Sequence, residues 1–404
     1  MPKPLSILIV HEVDYLEKIV FEFQEFGEVW AKRGHQVTVV DFVENHSGFF
    51  RSPESRSGVL KAIKEGPGIR LVRPTRIGGK TLSRIISIFL YPLLFARLFR
   101  EVHFDLVFLY SAPTNGLSLL RQARKAGVPV IFRSIDILHH MRERWTRFFV
   151  LWAERRVYRS VQRVSALTPA LGRYAEEMGC KPKNVVLNLP AINPRVFFPK
   201  SQDTKDLEFR KKWGLGNDTD LIIYLGTFFQ FSGLEFLADK VPEICGVLPQ
   251  VEFVFVGGGP LRGLLKQRAE KLSGQLTVID FRPFSEVPDF LRESTLALNP
   301  FRPGPITRDI VPSKIFQYLG CGVPTLSTNL PGTKEILPEG ECGVVYSDLE
   351  DFPKAIINLF GTNREKLDDL RRNAINISRE RFSQELQVES FEKLFYEVLK
   401  PQED

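Results

Sequence analysis

Short apolar runs alternate with longer amphipathic stretches along the whole chain. In the first half the runs that read as strands are Ser6–Val10, Gln36–Phe42, Asp105–Tyr110, Pro129–Arg133, Arg163–Leu167 and Asn184–Asn188. In the second half they are Asp220–Leu225, Val251–Gly257, Leu276–Phe281, Leu296–Asn299, Pro324–Thr328 and Gly343–Tyr346. Val20–Arg33 predicts a helix ended by Gly34, because glycine takes the left-handed turn of a helix stop without strain. Further helices are expected near 234–246, 260–273, 286–294, 312–320 and 351–360. Strand and helix alternating in this way predict parallel α/β architecture.

A chain of 404 residues exceeds one core of ordinary size, so two α/β domains are expected. The boundary falls at Leu189–Pro199, where three prolines precede the polar run Lys200–Asp206. The expected division is therefore 1–195, 200–383 and a C-terminal helix and tail, 384–404. In the last piece Phe391, Leu394, Phe395, Val398 and Leu399 recur at helical spacing. No repeat of fixed period stands out; the doubling is one of architecture.

Composition narrows the class. With 43% hydrophobic and 25% charged residues the chain reads as a soluble globular protein. Cys180, Cys245, Cys321 and Cys342 are scattered, which speaks for plain thiols and against a disulfide framework or zinc site. The six histidines offer no metal set. Ser6–Val10 runs at once into His11 and Glu12, too short an apolar stretch for a signal peptide, so a cytoplasmic location is expected. Charge is uneven: residues 1–195 carry 30 Lys and Arg against 17 Asp and Glu, leaving 25 against 31 for the remainder. A basic first half suits an anionic membrane surface, a phosphorylated acceptor or nucleic acid. No nucleic-acid motif accompanies it, so that partner is not expected.

The densest candidate chemistry lies between 304 and 343. Val311–Thr328 reads as loop, helix, glycine turn and strand, with Pro312 in the first helical turn and Ser313 placed to cap it. A helix N-terminus stabilises phosphate through its free amides and dipole, and Lys314 adds a cation there. A capped structural helix without ligand is the other reading of the same residues.

The segment "PSKIFQYLGCGVPTLSTNLPGTKEIL" resembles the donor-site segment of retaining glycosyltransferase family 4. "WAKRGHQVTV" (30–39), "FVGGGP" (255–260) and "FRPF" (281–284) are similar to that family's first-domain turn, second-domain strand end and nucleobase loop, in the same order. The resemblance spans nearly the whole chain. It implies a GT-B-type fold: two Rossmann-like domains facing across a cleft, the C-terminal helix packing back on the first. It also implies a retaining, metal-independent transfer from a nucleotide sugar, a UDP-sugar expected ahead of a GDP-sugar, with no further cofactor.

Carried over by position, the family's two donor-site glutamates fall at Asp309 and Gln317, the first still a carboxylate on the sugar, the second a hydrogen-bonding group for the ribose. Asp309, Lys314 and Asp136 are the expected catalytic residues. Gly226, Thr227, Gly258, Arg282, Pro283, Arg308, Ser313 and Gln317 are the expected donor contacts. The family's Arg and Lys after the second domain's first strand fall near Thr227 and Ser232, so both cations are missing. Lys314, Arg308 or Arg282 would replace them. The first-domain Gly-Gly loop falls near Glu17 and Lys18, and the acceptor-side His-Asp becomes Ile135-Asp136, with His139 nearby and read as an ordinary half-buried histidine.

Arg73–Arg100 sets apolar residues among arginines. It reads either as an interfacial segment on the inner face of a membrane or as a core helix broken by Pro92. The expected function is transfer of a sugar to a lipid-linked or polysaccharide acceptor. The alternatives are a non-hydrolysing sugar-nucleotide 2-epimerase and a non-catalytic sugar-nucleotide-binding subunit.

Overall fold

The computed structural model describes residues 3–17, 20, 22–43, 49–141, 144–201, 205–361 and 364–400. Lys18, Phe21 within the first predicted helix, 202–204 of the polar linker run and the tail 401–404 lie outside the described residues. The chain divides into two compact units, 1–189 with 387–404, and 190–386.

The first unit contains strands β1 (Ser6–Val10), β2 (Gln36–Val40), β3 (Phe50–Arg51), β4 (Glu54–Val59), β5 (Ile69–Arg73), β6 (Arg76–Ile77), β7 (Leu106–Leu109), β8 (Val130–Ser134), β9 (Arg163–Ala166) and β10 (Val185–Leu187). Eight of them form one sheet in the order β10-β9-β8-β7-β1-β2-β5-β4, and β3 pairs with β6 as a separate ribbon. The sheet is parallel except for β4, an antiparallel, largely exposed edge of sequence ESRSGV. Such a polar edge discourages further strand pairing. The inner strands are buried on both faces, which is why they read as continuous apolar runs.

Helices α1 (Glu22–Lys32), α2 (Lys80–Glu101), α3 (Gly116–Ala126), α4 (Arg144–Tyr158) and α5 (Pro169–Glu177) connect these strands. On one face Tyr91, Phe95 and Leu98 of α2, Leu119 and Ala123 of α3 and Val157 and Tyr158 of α4 share a core with Leu8, Val10, Val107, Leu109 and Phe132. α5 opens on Pro169 after Thr168, whose hydroxyl accepts from the Leu171 amide and satisfies a first-turn donor.

The second unit is regular. Strands β11 (Asp220–Thr227), β12 (Val251–Gly258), β13 (Leu276–Ile279), β14 (Ser294–Asn299), β15 (Thr325–Thr328) and β16 (Val344–Ser347) pair in parallel in the order β13-β12-β11-β14-β15-β16. Helices α6 (Leu207–Trp213), α7 (Leu234–Val247), α8 (Arg262–Lys271), α9 (Val287–Arg292), α10 (Ser313–Gly320), α11 (Pro331–Ile336), α12 (Phe352–Gly361) and α13 (Arg364–Glu380) surround it.

The last helix, α14 (Gln384–Leu399), returns to the first unit. Phe391 packs at ring-centroid distances of 4.9 Å from Phe26, 5.8 Å from Trp30 and 5.4 Å from Phe108, the last on β7. Glu392 of α14 takes an ion pair from Arg33 at 2.8 Å and lies 3.3 Å from His35 Nε2. The Ser390 hydroxyl accepts from the Asn188 amide at 2.8 Å, and Tyr396 donates to the Lys3 carbonyl.

Three departures from the sequence reading have physical causes. β5 has no counterpart among the expected strands: it is five residues long, ends on Arg73 and runs into Pro74. Its arginine is buried only because Asp14 at 2.5 Å and Asp41 at 2.8 Å neutralise it, partners 59 and 32 residues away. α13 is likewise absent from the expected helices; Leu367, Leu370, Ala374 and Ser378 mark its buried face at helical spacing, diluted by charge. Pro92 does not break α2, which runs 22 residues with the proline inside it. One lost backbone hydrogen bond is tolerated where the flanking turns are held by packing.

Phe391→Ala is expected to destabilise the first unit by about 3–5 kcal/mol, the usual cost of truncating a core phenylalanine. Leu386→Ala, at an exposed position on the same helix, should stay within about 0.5 kcal/mol. Urea denaturation followed by circular dichroism compares them; equal midpoints would mean that α14 is not integral to the unit.

Candidate functional site

In open parallel sheets ligands bind outside the carboxyl ends of the strands, where the strand order reverses. In the second unit that reversal lies between β11 and β14. β11 ends in Gly226 and Thr227, β12 in Gly257 and Gly258. Gly226 and Gly257 have φ of +133° and +154°, and a Cβ on Gly257 would fall 1.9 Å from the Gly226 carbonyl oxygen, so only glycine fits there. The result is a bare backbone floor at the switch point.

Lys314, the second residue of α10, is aimed onto this floor. A Cβ on Gly226 would lie 3.9 Å from its Nζ. Its Nζ sits 3.7 Å from the centroid of Tyr224 and 4.1 Å from that of Phe301, and the residue is only 8% exposed. α10 is pinned in place one turn later, where the Tyr318 hydroxyl accepts from the Leu225 amide of β11 at 3.0 Å. The unit's other buried cation, Arg210, is paired with Glu293 at 2.9 Å; in the first unit Arg73 is paired with Asp14 and Asp41, and Arg133 with Glu22 at 2.7 Å. Lys314 has no hydrogen bond or ion pair among the described residues, only the two ring faces. Burial without a counterion pushes its pKa well below the ordinary lysine value.

The loop 300–312 between β14 and α10 is tied down by its own backbone. Thr307 donates from its hydroxyl to the Arg302 carbonyl at 2.6 Å, and the Arg308 amide to Gly304 at 2.9 Å. Asp309 is held from below by Gly332, where a Cβ would meet the Asp309 carbonyl at 2.6 Å. Its carboxylate is 42% exposed and has the exposed Arg308 as a neighbour at 3.8 Å. Gln317 is half-buried on the turn after Lys314. Ser313 corrects the expectation of a cap: the N-cap position is Pro312, Ser313 is exposed, and no side chain caps α10. The Ile315 amide donates to the Pro312 carbonyl at 3.0 Å, and the amides of Ser313 and Lys314 remain available to a ligand.

Thr227 contributes its backbone, the carbonyl accepting from the Tyr224 hydroxyl at 2.9 Å. Gly258 lies under Phe281, where a Cβ would come within 2.9 Å of the ring; Phe281 is otherwise exposed. Arg282 is engaged elsewhere: its guanidinium forms a bidentate pair with Glu286 at 3.0 and 3.2 Å and lies 4.8 Å over Trp213. Pro283 opens the short turn that presents Glu286 to it. Of the three cations expected to replace the missing pair, Lys314 alone is both buried and unpaired.

In the first unit the corresponding reversal is between β1 and β7. Glu22, at the start of α1, takes two hydrogen bonds from buried Arg133 at 2.8 and 2.7 Å and one from Tyr110 at 3.1 Å. Asp136 follows β8, half-buried and without a partner among the described residues. Burial, then the charge of Glu22, push its carboxyl up to about 6. His139 has a structural role: Nδ1 lies 2.8 Å from Glu154 and 3.1 Å from the Tyr174 hydroxyl. Burial depresses its pKa and lifts Glu154 to about 7. Tyr224, Phe301, Glu22 and Arg133 carry no signal in the sequence that marks them for a site. Phe301 follows "LNP" and Tyr224 lies inside a strand, positions whose only local signal is apolar character.

Two family models match separate stretches of the chain. Residues 219–362 match the family model described as "Glycosyl transferases group 1", and residues 22–190 that of "Glycosyl transferase 4-like domain". Over 179 residues the chain is 27% identical to a component of the phosphatidylinositol N-acetylglucosaminyltransferase of Arabidopsis thaliana, a match covering 43% of this chain and 38% of that one. It is 22% identical over 245 residues to N-acetyl-alpha-D-glucosaminyl L-malate synthase of Bacillus anthracis, covering 59% and 60%. The chain thus spans less than two thirds of the length of either curated relative. Among solved structures, sucrose-phosphate synthase from Thermosynechococcus elongatus superposes with a TM-score of 0.75 at 14% identity, covering 98% and 99% of the two chains, which shows the shared fold.

An uncompensated buried polar group costs about 1–3 kcal/mol, so Lys314→Met, of similar volume, is expected to stabilise the ligand-free protein by roughly that amount near neutral pH. The sign with pH follows from the depressed pKa. Above the folded-state pKa and below the unfolded value of about 10.5, the unfolded chain holds a proton that the native state lacks. Native stability therefore rises with pH across that window, and the advantage of the methionine shrinks as pH approaches 10.5. Urea midpoints of both proteins at neutral and alkaline pH decide it; an advantage that grows with pH would show that Lys314 is charged and compensated.

Proposed function

The chain belongs to the glycosyl transferases group 1 family, and we propose that it moves a sugar from a nucleotide-sugar donor, held by the second unit, to a lipid-linked or polysaccharide acceptor. The reading includes retention of the anomeric configuration, a metal-independent site and a UDP-sugar as the first donor to try. One observation carries it: Lys314, a buried lysine without a counterion over the glycine floor of β11. An uncompensated cation position at a topological switch point is a place for an anion.

A nucleoside diphosphate meets both requirements of that place. Its arrival supplies the missing counter-charge, which favours the protonated lysine and holds the diphosphate as an ion pair in surroundings of low dielectric. When the bond from the anomeric carbon to the diphosphate oxygen breaks, negative charge grows on that oxygen. Lys314 and the free amides at the start of α10, which no side chain caps, would stabilise it. Gln317 would hold a ribose hydroxyl and Asp309 a hydroxyl of the transferred sugar. Asp136 would take a hydrogen bond from an acceptor or sugar hydroxyl. Phe281, exposed above Gly258, offers its face to the base. Among the described residues no group of three or more His, Cys, Asp or Glu could hold a metal ion; in the proposed reaction lysine and amides would neutralise the diphosphate.

Kinetics on purified variants test this reading. Lys314→Met should lower kcat by about 10²–10³-fold, the usual loss for one electrostatic group that acts on the developing charge. Gln317→Ala should mainly raise KM, and Asp309→Asn should impair turnover while sparing the affinity for free nucleoside diphosphate. A Lys314→Met enzyme with wild-type kcat and nucleotide affinity would overturn the assignment. Thermal-shift titration with UDP-, GDP- and ADP-sugars ranks the donors, because a ligand of the native state alone raises the melting temperature with occupancy.

The metal-free step has its own test. Transfer should proceed unchanged in excess EDTA, and the product's anomeric configuration, read by proton NMR, should match that of the donor. Activity lost to EDTA and restored by Mg2+ or Mn2+ would refute it.

A further inference from the structure

The first unit carries a surface that the donor chemistry leaves unused. Helices α2, α3 and α4 all pack on one face of its sheet, and their inner sides supply part of one core. Their outer sides are unusual. On α2, Leu82, Ile85, Phe89 and Leu93 recur at three- and four-residue spacing and all point outward, Phe89 at 73% and Leu93 at 70% exposure. On α4, Phe148 is 80% exposed and Trp152 is exposed a turn later. Large exposed apolar side chains in line along α2, with more on α4, mark a binding surface on a globular unit.

The charges around the stripe have one sign. The three helices together hold eleven Lys and Arg against two carboxylates, Glu101 and Glu154, and Glu154 is buried. The layer is thus more basic than the whole chain, whose net charge is +7. Arg121, Arg124 and Lys125 at the end of α3 and Arg147, Arg155 and Arg156 on α4 are all exposed.

We propose that the outer surface of α2, α3 and α4 docks this protein on an anionic lipid bilayer, the helices lying flat with the apolar stripe in the headgroup–acyl boundary. Large apolar side chains bordered by arginines suit that boundary, and the basic layer complements anionic headgroups. α2 is long enough to span a bilayer, about 33 Å at 1.5 Å per residue, but its other side is committed. Tyr91, Phe95 and Leu98 are buried against the sheet, and the Tyr91 hydroxyl donates to the Asp41 carbonyl at 3.2 Å. Upright insertion would take that core apart, so the helix inserts sideways. A second copy of the chain is disfavoured on this face, since two such basic layers repel. Nucleic acid would use the arginines but has no use for the aliphatic stripe on α2.

This corrects the sequence expectation as to which residues take part. Arg73 and Arg76 are buried within the unit, so they do not reach lipid headgroups. The contact begins at Leu82 and includes α4, which lies outside the Arg73–Arg100 stretch.

The full chain should float with phosphatidylcholine vesicles containing phosphatidylglycerol and stay behind with phosphatidylcholine alone. Binding should weaken as salt is raised. The double variant Phe89→Asp, Leu93→Asp should lose at least about tenfold in vesicle binding. Arg121→Glu, Arg124→Glu should lose a similar factor and flatten the salt dependence. Both pairs are exposed, so melting temperature and nucleotide affinity should stay at wild-type values, which separates this outcome from a failure of the donor-site reading. Equal flotation with neutral and anionic vesicles, no flotation with either, or unaltered binding by the aspartate variant would each overturn the proposal. So would a dimer in sedimentation that the same variant abolishes, or tighter binding to single-stranded RNA than to vesicles.

Discussion

Parallel strands cannot be joined by a tight turn, so every β-strand in such a sheet must be followed by a crossover segment that returns to the same starting edge. All strands then end together, and the chain's loops gather at that edge. The ends of β11, β12 and β14 in the second unit, and of β1, β7 and β8 in the first, are brought side by side by this constraint alone. At the edge the backbone turns sharply, and Gly226 and Gly257 occupy conformations closed to other residues. The absence of side chains there leaves room above the backbone, which the neighbouring α10 and the 300–312 loop border.

What fills that room distinguishes a site from a packing detail. Three buried arginines, Arg73, Arg133 and Arg210, are held by carboxylates, and the protein gains order from each pair without presenting charge to a ligand. Lys314 breaks the pattern, with aromatic rings in place of a carboxylate. The rings attract a cation weakly and keep water away, a poor resting place for an amine and a good one for an amine about to meet a diphosphate. The neutral cost in the empty protein and the gain on binding come from the same burial. Arg282 shows the contrast: paired with Glu286 and stacked on Trp213, it is satisfied before any ligand comes.

Much of the architecture is legible along the chain. All six strands of the second unit are visible because parallel strands buried on both faces carry short apolar runs, a signal independent of partners. β5 is not legible, since Arg73 becomes a core residue only when Asp14 and Asp41 arrive from elsewhere. Pro92 misleads because a proline's cost is local while the packing that absorbs it is not. Ser313 misleads in the same way: a serine beside a helix start matches the capping pattern, but the dihedral angles of Pro312 make it the cap residue.

By itself the sequence determined two α/β units, the six strands of the second and six of the ten in the first, and the position of Lys314 at the head of a short helix after a proline. These depend on hydrophobic period and local backbone preference, which each segment carries alone. The tertiary structure decided that Lys314 is buried over Tyr224 and Phe301, that Arg282 is already paired, and that Arg73 lies inside while Phe89 lies outside. Those are statements about neighbours brought together by the fold. Burial and counterions, which set the charge of a side chain and its freedom to act, exist only once the chain has closed on itself.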